Sequence, residues 1–152
     1  MEVKRIRDLL RWTKQYHENL ERCYADCANQ SDEEKIKLLL GYFKSHQTRL
    51  TTTLQRVIDS EQEKVLDGWI SEYSVRQPPF QKHVCKHDLV GLTADEITAK
   101  VVAGHEAVIE LYKELASQAH ISDAHDLFQS LLELEEHELM QEMVSAGRFS
   151  DL

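Results

Sequence analysis

The chain has 152 residues, 18 of them basic and 27 acidic, for a formal charge of −9 with histidines neutral. That charge opposes nucleic acid and anionic lipid as ligands, and no apolar run approaches the roughly 18 residues that a bilayer span needs. Five glycines, two adjacent prolines and three cysteines without framework spacing describe a helical, cytoplasmic protein rather than a turn-rich sandwich or a secreted disulfide scaffold.

The first predicted helix covers about residues 2–28. Val3, Ile6, Leu10, Thr13, His17, Leu20, Tyr24 and Cys27 recur at alternating steps of three and four, the seam of a bundle helix. Cys23 and Cys27 lie one turn apart, and the apolar stripe makes them core residues more readily than a redox or soft-metal pair. After the turn at Asn29-Gln30, Ser31 and Glu34 have capping-box spacing for a second helix over about 32–60. Its stripe is Ile36, Leu39, Phe43, His46, Leu50 and Val57.

Residues 61–92 break the rhythm with Gly68, Pro78-Pro79, Trp69, Tyr73, Phe80 and Gly91. A stretch this long exceeds the roughly 2–8 residues usual between bundle helices. It predicts a crossover running back along the bundle and an up-down-down-up order, with a short helix near Val65–Tyr73; a plain up-down-up-down bundle with a decorated loop is the lesser alternative. Its aromatics would pin it to the bundle or line a homodimer contact. His83, Cys85 and His87 form a weak secondary cluster within it. Thr93 and Glu96 then cap a third helix over about 94–118, with Val101, His105, Val108, Tyr112 and Leu115 inward. Gly104 within it suggests a close backbone approach or room beside His105. The fourth helix, about 122–146, carries Leu127, Leu131, Leu134, His137 and Val144, with Gly147 as its stop.

The four histidines on these stripes lie at similar distances from their hairpin turns. His17 stands 12 residues before Asn29, His46 15 after Ser31, His105 15 before His120 and His137 15 after Ser122. At the helical rise this is about 18–23 Å, so all four converge near mid-height whichever way the hairpins run. Glu18 and Glu106 each follow an inward histidine and compete with it for the interior. Glu133 lies one turn before His137 and could ligate or orient it. Imidazoles with a few carboxylates suit a borderline-soft ion such as Fe or Zn, with Mn an alternative. A metal-free polar network and another cofactor such as haem are the competing readings. No phosphate loop, nucleophile triad or dinucleotide fingerprint is present.

Two helix hairpins, a long crossover, and a polar residue seven before a tyrosine (His17 before Tyr24, His105 before Tyr112) resemble the ferritin-like superfamily, in particular its rubrerythrin-type members. The resemblance implies an all-α, up-down-down-up four-helix bundle. It also implies a carboxylate-bridged metal pair held by one Glu and one Glu-x-x-His per hairpin. Here the positions of the first Glu are His17 and His105, while Phe43 and Leu134 stand three residues before His46 and His137. The expected site is therefore a degenerate, His-rich one: His17, His46, His105 and His137 with Glu18, Glu106 and Glu133, supported by Tyr24 and Tyr112. The expected function is transition-metal binding. Its alternatives are a metal-free interaction or regulatory bundle and a di-metal oxidoreductase acting on peroxide or oxygen.

Overall fold

The computed structural model of the protein describes residues 3–70 and 89–150. Five helices are present among them: α1 (Ile6–Gln30), α2 (Glu34–Ser60), α3 (Glu63–Leu66), α4 (Ala94–Gln118) and α5 (Ser122–Ser150). The Thr93–Glu96 capping box forms as the sequence predicts: the threonine hydroxyl accepts from Glu96 N at 3.2 Å and the Glu96 carboxylate from Thr93 N at 3.3 Å. The Ser31–Glu34 box does not. Glu33 is the N-cap of α2, and Ser31 Oγ accepts instead from Glu33 N, 3.2 Å away. Gly147 does not end α5, which continues to Ser150.

Helix directions follow from which residues share a core. One apolar cluster gathers the start of α1 (Ile6, Leu10), the end of α2 (Leu54, Ile58), the end of α4 (Leu111, Leu115) and the start of α5 (Leu127, Phe128). A second gathers the end of α1 (Cys23, Cys27), the start of α2 (Ile36, Leu40) and the start of α4 (Ile97, Val101), with Ala146 and Phe149 of α5 against it. The order is therefore up-down-down-up. The two hairpin turns lie at opposite ends, and the chain crosses the length of the bundle between α2 and α4.

The crossover begins pinned to α1. Ile6 N donates to Gly68 O at 2.8 Å, Ile70 N donates to Lys4 O at 2.8 Å, and the Arg5 guanidinium stacks 4.2 Å over the Trp69 ring. Val65 and Leu66 of α3 are buried in the first cluster. The short helix is thus Glu63–Leu66, earlier than expected. Tyr73, Phe80, His83, Cys85 and His87 lie outside the described residues.

Candidate functional site

Between the two apolar clusters lies a polar layer at mid-height. His17 of α1, Gln47 of α2, His105 of α4, and Glu135 and Glu142 of α5 are each no more than 2 % exposed. Such groups can be buried only with partners, because an unpaired one costs about 1–3 kcal/mol. Glu135 supplies two bonds: its Oε1 lies 2.6 Å from His17 Nε2 and its Oε2 2.9 Å from His105 Nδ1. His17 Nδ1 donates to Gln47 Oε1 across 2.7 Å. The Gln47 amide nitrogen is 3.2 Å from His105 Nε2 and donates to Glu142 Oε1 over 3.5 Å.

One corner of the layer is closed by charge rather than by a directed hydrogen bond. Glu142 Oε2 is 2.8 Å from His105 Nε2, yet among the described residues it is the buried side-chain oxygen that no hydrogen bond reaches. We read the pair as an ionic contact whose geometry falls short of a directed hydrogen bond. His105 Nε2 thus faces a donor, the Gln47 amide, and an acceptor, Glu142, at the same time.

The electrostatics follow from this geometry. Burial disfavours the His105 cation, but the bond to Glu135 and the contact with Glu142 outweigh it and raise the imidazole to about 10. Burial likewise disfavours the Glu135 anion, and the His17 and His105 rings reverse that, holding the carboxyl at about 2. Tyr16, Tyr24 and Tyr112 ring the layer with phenols pushed well up, chiefly by burial and then by the buried carboxylates.

Of the residues singled out from sequence, the fold brings three histidines to this level. His17 and His105 stand in the layer, and His46 is buried beside it. His46 does not join the central pair: its Nδ1 meets Glu138 Oε2 at 2.9 Å. His137 and Glu133 are exposed on the outer face of α5, and Glu106 is exposed on α4. Glu18 is half-buried and pairs with Lys14 at 3.1 Å. Those four stand apart from the buried layer because α5 is turned by one residue from the expected register and because the histidine, not its neighbour, faces inward on α1 and α4. Tyr24 and Tyr112 are buried. The Tyr112 hydroxyl donates to Thr13 Oγ1 at 3.2 Å, and the Tyr24 ring packs 6.1 Å from Phe43.

The residues that sequence reasoning missed are Gln47, Glu135, Glu138 and Glu142. The three glutamates fall at i, i+3 and i+7, a single helix face, and continue the stripe of Phe128, Leu131 and Leu132. Gln47 lies four after Phe43 and three before Leu50, on the stripe of α2. The spacing was there to be read.

No family model matches the chain, and no curated protein matches it. Among solved structures it is similar to a Thermotoga maritima protein described, provisionally, as a ferritin-like diiron-carboxylate protein. The TM-score is 0.60 at 19 % identity, covering 96 % of this chain and 97 % of that one. At that identity the likeness bears on the fold alone. The architecture is the ferritin-like four-helix bundle.

Whether the layer suits a metal ion turns on its donors. Among the described residues, no group of three or more His, Cys, Asp or Glu side chains is disposed to hold an ion as it stands, since the rings and carboxylates are paired with one another. The donor chemistry nevertheless fits: two imidazoles, two carboxylates and an amide, all buried, with one carboxylate oxygen held to a ring nitrogen by charge rather than by a directed hydrogen bond. Two buried carboxylates facing two imidazoles can be neutralised by protons on the rings or by one divalent cation. No described helix is long and apolar enough to cross a membrane.

Proposed function

We propose that the protein binds a transition-metal ion, Fe, Zn or Mn, at mid-bundle, through His17, His105, Glu135 and Glu142 with Gln47 alongside. The observation that carries this reading is the donor set: two imidazoles and two carboxylates buried together at mid-bundle, with the Glu142 Oε2–His105 Nε2 contact of 2.8 Å held as an ion pair rather than a directed hydrogen bond. The Thermotoga maritima protein of similar fold is described as a diiron-carboxylate protein, which agrees with metal binding by this chain. When bound, such an ion supplies Lewis acidity and, if it is iron, redox chemistry. The protein's own part is to hold the donors dry between two apolar clusters and to exchange ring protons for the cation.

Here the ligand carboxylates come from α5 alone, as Glu135 and Glu142. The pattern that the ferritin-like resemblance implies distributes them over both hairpins, so this reading assigns no oxidase or peroxidase step. A second reading has its own support. His17 is fully paired, to Glu135 and to Gln47, as in a metal-free network that fixes how the two hairpins dock. Metal analysis of untagged, natively purified protein separates the two. Stoichiometric Fe, Zn or Mn that is lost in a His105→Ala, Glu142→Ala double variant supports binding. Metal-free protein that takes up none of these ions on titration, and whose stability chelator leaves unchanged, supports the network alone.

A further inference from the structure

We propose that Arg49, His46 and Glu138, on the seam between α2 and α5, form the route by which a divalent cation reaches the central layer, with the Arg49 guanidinium as its closure. The inference rests on the metal-binding reading above. Above and below, the layer is sealed by the two apolar clusters, and a hydrated ion does not pass through close-packed hydrocarbon. On the α1–α4 side the Tyr16 ring stands 5.3 Å from that of His17, and its hydroxyl is lodged against Gly104. Toward α2 and α5, by contrast, the residues next outward are polar: His46 adjoins Gln47 on α2 and Glu138 lies one turn before Glu142 on α5, with the Tyr42 ring 4.7 Å from that of His46.

Gln47 and Glu142 are innermost. His46 and Glu138 come next, with side chains 1 % and 11 % exposed. Arg49 is outermost, its side chain 61 % exposed. Glu138 lies three residues after Glu135 and four before Glu142 on one helix face. A cation shedding water would therefore meet a carboxylate at each step inward.

The closure is built to open. Arg49 Nη2 lies 2.7 Å from His46 Nδ1 and 3.8 Å from Glu138 Oε2. The same Nδ1 is 2.9 Å from Glu138 Oε2. One ring nitrogen cannot accept from the guanidinium and donate to the carboxylate together. Either contact releases the other, so the exposed guanidinium can swing away while His46 and Glu138 stay paired. While it sits there, its charge opposes an approaching cation.

Stopped-flow loading of metal-free, full-length protein with cobalt(II) chloride, followed by cobalt absorption, tests the route. Arg49→Gln should load several-fold faster than the unaltered chain and Glu138→Gln several-fold slower, with the same final stoichiometry. Lys113→Gln, on the outer face of α4, serves as the surface-charge control. Loading of Arg49→Gln and Glu138→Gln at the unaltered rate, with normal stoichiometry, overturns the route and leaves the central site standing. Failure of the unaltered chain to bind cobalt overturns both.

Discussion

The rings of His17 and His105 lie 5.9 Å apart, their planes inclined by 29°, although α1 and α4 belong to different hairpins. One carboxylate, Glu135 from the fourth helix of the bundle, spans the pair. It is therefore a cross-link between hairpins as much as a candidate ligand. Replacing Glu135 with Ala should cost about 3–5 kcal/mol, because two buried rings lose their counter-charge together. Urea denaturation in metal-free buffer measures this, and a loss below about 1 kcal/mol would mean the network contributes little to docking the hairpins.

The same contacts make the stability of metal-free protein depend on pH from both sides. Glu135 is depressed to about 2 from an ordinary 4.5, so its contribution is complete above 4.5 and is lost as pH falls toward 2. Glu138 is lowered as well: burial works against this, and the His46 contact prevails. His105 is raised to about 10 from 6.5; its contribution is complete below 6.5 and fades as pH climbs toward 10. The two windows overlap between about pH 4.5 and 6.5, where stability should be greatest. Denaturation midpoints taken across this range that rise steadily into the alkaline region would contradict the assignment.

The register of α5 can be tested by substitution. His137→Ala, Glu133→Ala and Glu106→Ala remove exposed groups and should each change stability by no more than about 0.5 kcal/mol, with metal content untouched. Glu142→Ala removes a carboxylate that is 1 % exposed and should abolish metal uptake. If metal loss followed His137 instead, the site would lie elsewhere than in this layer.

That contrast also marks how far the sequence could be read. In α1 the seam from Ile6 to Cys27 is the buried face, because apolar residues and one histidine keep a regular step. The third helix of the bundle behaves alike, from Val101 to Leu115. In α5 the apolar signal stops halfway: Phe128, Leu131 and Leu132 are buried, and the face then continues as Glu135, Glu138 and Glu142. Glutamates are ordinarily solvent-facing, so a hydrophobic period drifts onto Leu134 and His137. Gln47 escaped for the same reason. What could have corrected the register is a pairing requirement, since two buried imidazoles at mid-height call for buried acceptors. With His17 and His105 themselves turned inward, the α5 face is the one that carries such acceptors at this level.

Metal binding should displace protons. Each ring nitrogen that faces a carboxylate must give up its proton before it can ligate an ion. Titration of metal-free protein with zinc(II) at pH 7, by calorimetry in buffers of differing ionisation enthalpy, should show about one to two protons released per ion. A heat independent of buffer would mean that the ion sits outside the His–Glu layer.

Glycine separates close packing from helix propensity. Gly104 and Gly41 both lie inside long helices, where replacement by Ala ordinarily stabilises by about 1 kcal/mol. At Gly41 nothing stands within 4 Å of an added methyl group, and Gly41→Ala should realise most of that gain. At Gly104 the methyl carbon would come within 2.8 Å of the Tyr16 hydroxyl oxygen. That phenol is confined by burial and by its edge contact with His17, and crowding of this kind costs about 1–3 kcal/mol. Gly104→Ala should therefore destabilise or, at best, break even. Tyr16→Phe removes the offending atom. Whatever Tyr16→Phe costs alone, adding Gly104→Ala to it should be more favourable than in the unaltered chain, a coupling that a double-mutant cycle measures directly. Purely additive effects would show that the glycine is not there for the tyrosine.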